Sequence, residues 1–182
     1  MGALGKMGKR PWLKYFSLGL LPIALVMFFG LWMNLTENEI VRIEHIRRGV
    51  WDLREHEFSE DNFYYLGGDL ERFYGALISP QEFDYRIENN MPPNAPALWR
   101  TTTSRMRIYF PEDEETWYTF SRLSIHTSQR VYVNGVWMMD VGRPAYTAAE
   151  YVPEQTIISF TAKPVDGVIE IVQQSANFDF IM

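Results

Sequence analysis

Residues 130–142, RVYVNGVWMMDVG, are the stretch whose reading decides the fold. Val131 and Val133 face one way and Arg130 and Tyr132 the other, the period of a half-buried strand. Asn134 and Gly135 separate this run from a second one, VWMMDVG. Asn-Gly between two such runs is the strongest short hairpin signal, because a type I′ turn needs positive φ at both central residues. Asn134 and Gly135 are therefore read as a structural turn.

Working outward, the same signature repeats. SRMRIYF places Met106, Ile108 and Phe110 on one face and Arg105, Arg107 and Tyr109 on the other. VWDLREHEF, TWYTFSRLSIH, RVYVNG, TIISFTA and GVIEIVQQS also read as strands, separated by Pro, Gly and Asp clusters. GGDLERFYGAL opens with a turn, and MPPNAPALW, with three prolines, is irregular. Closely spaced short strands predict a mainly β domain, an antiparallel β-sandwich or jelly roll, over residues 49–182. Trp51, Phe73, Tyr74, Trp117, Phe120 and Trp137 are expected in or near its core.

The chain before this domain is different. Residues 15–35, YFSLGLLPIALVMFFGLWMNL, are 21 residues without a charge. As a helix they would span roughly 30 Å, about one hydrocarbon core. Lys6, Lys9, Arg10 and Lys14 precede them, and Glu37 and Glu39 are the first charges after. The positive-inside rule then predicts a cytoplasmic basic N-terminus at residues 1–14, one transmembrane helix at 15–35, and an extracytoplasmic remainder. The bulky exit GLWMNLTENE speaks against a cleaved signal peptide, and the lack of a polar face against a buried core helix. Ile40, Ile43 and Ile46 recur at three-residue steps, with Thr36 and Glu39 as a capping box, so residues 36–48 are expected to form a short juxtamembrane helical stalk.

Composition narrows the function. With no cysteine among 182 residues, disulfides, thiolate zinc sites and cysteine nucleophiles are excluded. Beyond the apolar segment lie 13 basic and 23 acidic residues, and this net charge of −10 makes nucleic acid an unfavourable partner. His45, His56 and His126 show no metal-ligand spacing, and no cofactor motif is present. PEDEE at residues 111–115 offers oxygens that calcium could use, but it lacks the spacing of a calcium loop and reads as a solvated turn. Carboxylates such as Glu71, Asp140 and Glu150 could serve glycoside hydrolysis only if paired at a fixed separation, and nothing in their spacing pairs them.

A resemblance adds to this reading. GGDLERFYGALISPQEF, PPNAPALW, RVYVNGVWMMDVG and VIEIVQQSANF, in that order over roughly residues 49–178, resemble the extracytoplasmic sensor domain of bacterial seven-transmembrane receptors with diverse intracellular signalling modules. Leu70 stands where that pattern has Trp, and SANF is one residue longer than its Ser-Asn-Phe ending. The resemblance implies a galactose-binding-like jelly roll that binds a carbohydrate or related small ligand without chemistry of its own. It also implies a downstream membrane bundle and a kinase, cyclase or phosphatase output module, which would lie outside this sequence.

Sugar recognition needs aromatic faces beside polar groups in a concave site. The loop GRPAYTAAEYVP supplies Arg143, Tyr146, Glu150 and Tyr151, and the Pro-rich loop closes on Trp99 and Arg100. These six residues are the candidate ligand contacts at one rim of the sandwich. The expected partners are the lipid bilayer, a carbohydrate or small-molecule ligand and a downstream signalling module. A cell-envelope domain that binds another protein, and a glycan-processing enzyme, are the alternatives from other classes.

Overall fold

The computed structural model describes residues 21–31, 40–59, 62–91, 100–111 and 115–179. The chain divides into two units, residues 1–40 with 60–63 and residues 41–59 with 64–182. In the first, residues 21–31 form a helix, α1, whose every residue is exposed although none carries a charge. The rest of the expected span, residues 15–20 and 32–35, lies outside the described residues, as do residues 1–14. Among the described residues no helix is long and apolar enough to cross a membrane.

The second unit is mainly β. The strands are β1 (Ile40–Glu44), β2 (Val50–Asp52), β3 (Phe63–Gly67), β4 (Glu71–Tyr74), β5 (Thr101–Tyr109), β6 (Tyr118–Val133), β7 (Val136–Val141), β8 (Glu154–Ala162) and β9 (Val168–Ala176), with helix α2 at Pro80–Glu88; all lie in this unit but for the first residues of β1 and β3. β1 pairs with β3, and the larger sheet runs β2-β5-β9-β6-β7, with β4 also on β5 and β8 also on β6.

The sheet curls because of β6. Tyr118–Ser124 pair with β8, and a bulge between Ser124 and Thr127 breaks that register. Ser128–Val133 then pair with β9, and Gln129–Val133 with β7 on the other side. A bulge bends a strand and increases its twist, so one long strand serves two layers. The two runs expected from sequence, TWYTFSRLSIH and RVYVNG, are one strand continuous through Thr127-Ser128-Gln129. The hairpin itself forms as expected: Asn134 and Gly135 have φ of 48° and 77°, and Val133 pairs with Val136. Asn134 does more than turn the chain. Its Oδ1 accepts from Glu170 N at 2.9 Å and its Nδ2 donates to Lys163 O at 3.3 Å.

The concave side of the sheet holds the main core: Trp51, Leu53, Ile108, Phe110, Val131, Val133, Ile158, Ala162, Ile169 and Ile171. Trp51 is fully buried and its indole N–H donates to Gly67 O at 3.0 Å, so its polar atom is satisfied inside. On the outer side, Phe73, Ala76, Ile78, Phe83 and Val172 form a second cluster under α2. α2 starts at Ser79, whose Oγ accepts from Glu82 N at 3.2 Å, and Pro80 takes the first turn.

Several expectations need correction. Residues 40–48 are not a helical stalk: 40–44 form β1 and Arg47 bridges Val50 across a turn at 48–49, while 36–39 lie outside the described residues. The three-residue recurrence of isoleucines misled, because burial follows a period of two; Val41 and Ile43 are half-buried, whereas Ile40 and Ile46 are exposed. β-branched residues favour that extended form. The sheet is not wholly antiparallel, since β2 runs parallel to β5 with Trp51 opposite Ile108. Gly49 permits the junction: at φ +71° it has no Cβ, and one added there would lie 2.9 Å from Glu71 N. Of the aromatics, Trp51 and Phe73 are core, but Trp117 and Trp137 are exposed.

Candidate functional site

Strand register brings a second kind of surface to the concave side. At one level Arg72 of β4, Ser104 of β5, Gln173 of β9 and Val131 of β6 stand side by side. At the next level are Thr102, Ser175 and Gln129. Residues of the same parity, two to four positions along these strands, are apolar: Ile108 and Met106 on β5, Ile171 and Ile169 on β9, Val133 and Val131 on β6. The first half of β6 behaves likewise, passing from Tyr118 and Phe120 to Arg122 and Ser124. The layers are therefore apolar at one end and polar at the other, on the same facing surfaces.

The polar end is wired together. Gln173 Nε2 donates to Gln129 Oε1 at 2.8 Å and to Ser175 Oγ at 2.9 Å. Gln129 Nε2 donates to Thr127 Oγ1 at 2.9 Å and Ser124 Oγ at 3.2 Å. Gln129, Ser124, Gln173 and Ser104 are buried. Arg122 Nη1 donates to Gln173 Oε1 at 2.6 Å. An arginine has five N–H donors, so one bond leaves Arg122 most of its capacity. Arg72 has no ion-pair partner among the described residues. Desolvation, and then the charge of Arg72, lower the pKa of Arg122 from its ordinary value. The residue as a whole is exposed, so water moderates the desolvation, and the neighbouring like charge is the distinctive feature. The arrangement sets a half-buried Arg72 and an exposed Arg122 beside a cluster of amides and hydroxyls that bond one another.

Arg72, Arg122, Gln129 and Gln173 were not among the residues singled out from sequence. A signal exists for Gln173: in GVIEIVQQS every second residue reads Ile169, Ile171, Gln173, Ser175, a strand face that changes from apolar to polar midway.

The expected rim residues fall at the same end of the strands, beside Thr101, Ser128 and Ala176. Trp99 lies outside the described residues. Arg100 and Tyr151 come together on one ring: the Arg100 guanidinium is 5.3 Å from the Phe178 centroid, as is the Tyr151 ring. Arg143 Nε donates to Glu150 O at 2.6 Å, and Thr147 Oγ1 donates to Glu150 Oε2 at 2.8 Å. Tyr146 Oη accepts from Leu77 N at 2.9 Å and donates to Leu77 O at 3.3 Å. Tyr151 is buried, its hydroxyl 3.5 Å from Asp179, and burial followed by the Asp179 charge raises its pKa. Each of these polar groups is engaged within the chain, which ties the loop down.

The acidic residues disperse. Glu71 faces Arg105 and Arg107, Asp140 chelates Arg130, and Glu150 bonds Thr147. Residues 112–114 of the acidic turn lie outside the described residues. Compared with known proteins, the chain matches no family model, no curated protein and no solved structure.

Proposed function

We propose that this chain is the ligand-sensing part of a membrane signalling receptor, a galactose-binding-like β-sandwich outside the cytoplasm that binds a carbohydrate or related polar small molecule without catalysing a reaction. One observation carries the binding reading: Gln129, Gln173, Ser124 and Arg122 occupy positions that are apolar further along the same strands. Burying polar groups is costly unless they are bonded, and apolar residues of similar volume often serve stability as well as a buried polar or ionic cluster does. Arg122 keeps donors beyond its bond to Gln173, and a ligand that meets them gives this polar end a use. The anchoring reading is supported by the exposed, uncharged helix α1 within the 21-residue apolar stretch. Ligand binding would bias the domain by no more than its differential affinity for two arrangements, and a downstream membrane or signalling module would read that bias.

The test is a thermal-shift screen of the full chain in detergent against a panel of mono- and disaccharides. The expected result is a concentration-dependent rise in Tm that Gln173→Leu abolishes. A panel without any such ligand, or a shift that survives Gln173→Leu, counts against the site. Protease protection in membrane vesicles checks the orientation, with cleavage of the β-domain expected only from the extracytoplasmic side.

A second reading, a cell-envelope domain that binds another protein, draws on β7. Val136, Trp137 and Met138 are exposed on this terminal strand of the sheet path, and such side chains suit protein contacts. Cross-linking to an envelope protein that is lost in Trp137→Lys and kept in Gln173→Leu would favour it.

A further inference from the structure

We infer that the outer face of the β1–β3 pair rests on the lipid bilayer, with Ile40, Phe63 and Tyr65 in its headgroup layer. This deepens the anchoring reading above and rests on it.

Strand alternation builds the face. Along β1, Ile40, Arg42 and Glu44 are exposed while Val41 and Ile43 are half-buried. Along β3, Phe63 and Tyr65 are exposed while Tyr64 and Leu66 are half-buried. The Arg42 guanidinium lies 5.6 Å from the centroid of the Tyr65 ring, so the two exposed rows share one side of the pair. Ile40 is 75 % exposed, Phe63 63 % and Tyr65 57 %. Large apolar side chains gathered on one exposed face mark a surface that meets a partner.

Chain length names that partner. The apolar run ends at Leu35, and residues 36–39 alone join it to β1. Five extended steps reach at most about 18 Å. Each headgroup layer is about 5–8 Å deep. With the run in the hydrocarbon core, β1 starts in or just above the headgroups. Amphipathic rings and arginine stems suit that layer, the apolar body facing the acyl chains and the polar tip the water.

Charge agrees. Residues 40–49 hold Arg42, Arg47 and Arg48 against Glu44, in a domain whose balance is strongly negative. Arg42 bonds Glu44 at 2.6 Å. Arg47 and Arg48 are exposed beyond the end of β1 and have no ion-pair partner among the described residues. The arginine fork matches phosphate, so this end of the pair suits anionic headgroups.

The chain has no cysteine, so one introduced thiol carries one dye. Phe63→Cys and Tyr65→Cys on β3 are labelled with an environment-sensitive fluorophore in the full chain. Tyr85→Cys on α2 and Ile157→Cys on β8, both exposed positions, serve for comparison. Each is reconstituted in phosphatidylcholine–phosphatidylglycerol vesicles, and its Tm is checked in detergent. The β3 labels are expected to shift to the blue, to be quenched by nitroxide-bearing lipid and to escape aqueous iodide, and the labels on α2 and β8 to do the reverse. Omitting phosphatidylglycerol should lessen the lipid quenching; no change overturns the role given to Arg47 and Arg48. Equal iodide access at all four positions, in chain that floats with the vesicles, overturns the inference and leaves the anchor in place. Escape from iodide without quenching by lipid assigns the face to a protein contact and also overturns it. Chain that does not float overturns the anchoring reading and the inference together.

Discussion

The Arg105 guanidinium on β5 meets the Asp84 carboxylate on α2 at 2.5 Å, across the outer face of the sheet. The same group lies 2.9 Å from Glu71 and 3.6 Å from Glu170, and 4.5 Å from the centroid of Phe83. Arg105 is only 2 % exposed, so β4, β9 and α2 converge on one buried cation. Arg105→Met is expected to cost about 3 kcal/mol, since it leaves partly buried carboxylates facing one another. Urea denaturation measures this. Asp84 is half exposed, so Asp84→Asn should cost much less, about 1 kcal/mol or under.

Glu170 and Asp52 should bend the pH dependence of stability in opposite directions. Burial, opposed by the Arg105 charge, raises the Glu170 pKa above 4.5. A carboxyl with a raised folded-state pKa contributes stability below its unfolded value and loses it as pH rises through the folded one. Glu170→Gln should therefore remove a decline in stability that begins above pH 4.5. The Asp52 carboxyl is held at about 2 by its bonds from the Arg54 side chain and backbone. Its contribution is present above the ordinary value of 3.8 and fades toward pH 2, so Asp52→Asn should flatten that acid limb. Denaturation midpoints from pH 2 to 7 check both signs.

Asn134→Ala should lower stability by about 2 kcal/mol, through positive φ and two lost side-chain bonds. Asn134→Gly relieves only the backbone, so it should lie between wild type and the alanine variant. Equal stability of Asn134→Gly and wild type would show that the bonds to Glu170 and Lys163 contribute nothing.

Ser79→Ala should destabilise by about 1 kcal/mol through the lost cap. Hydrogen exchange should then quicken in the first turn of α2 more than in β5 or β9, because Phe83 and Asp84 still hold the helix to the sheet.

Short-range chemistry was legible in the chain. The Asn134-Gly135 turn, the alternation in β5, β8 and β9, and the mainly β class all follow from φ preferences and from side chains that alternate across a strand. Ser79, Pro80 and Glu82 carried a helix start as well, though a strand-oriented reading passes over it. Where two local patterns competed, the local reading failed. Isoleucines at 40, 43 and 46 fit a helix in isolation, and pairing of β1 with β3 decides for a strand.

The candidate site belonged to neither pattern. Arg72 and Arg122 are fifty residues apart, and no spacing rule links them. They become neighbours because β4 and β9 pair on opposite sides of β5, and because β6 bends at its bulge to lay its first half opposite them. Sequence determined what each residue could offer and which way it faced along its own strand, since those depend on bonds a few atoms long. Only the tertiary structure decided which faces meet, because register is set by the packing of whole strands.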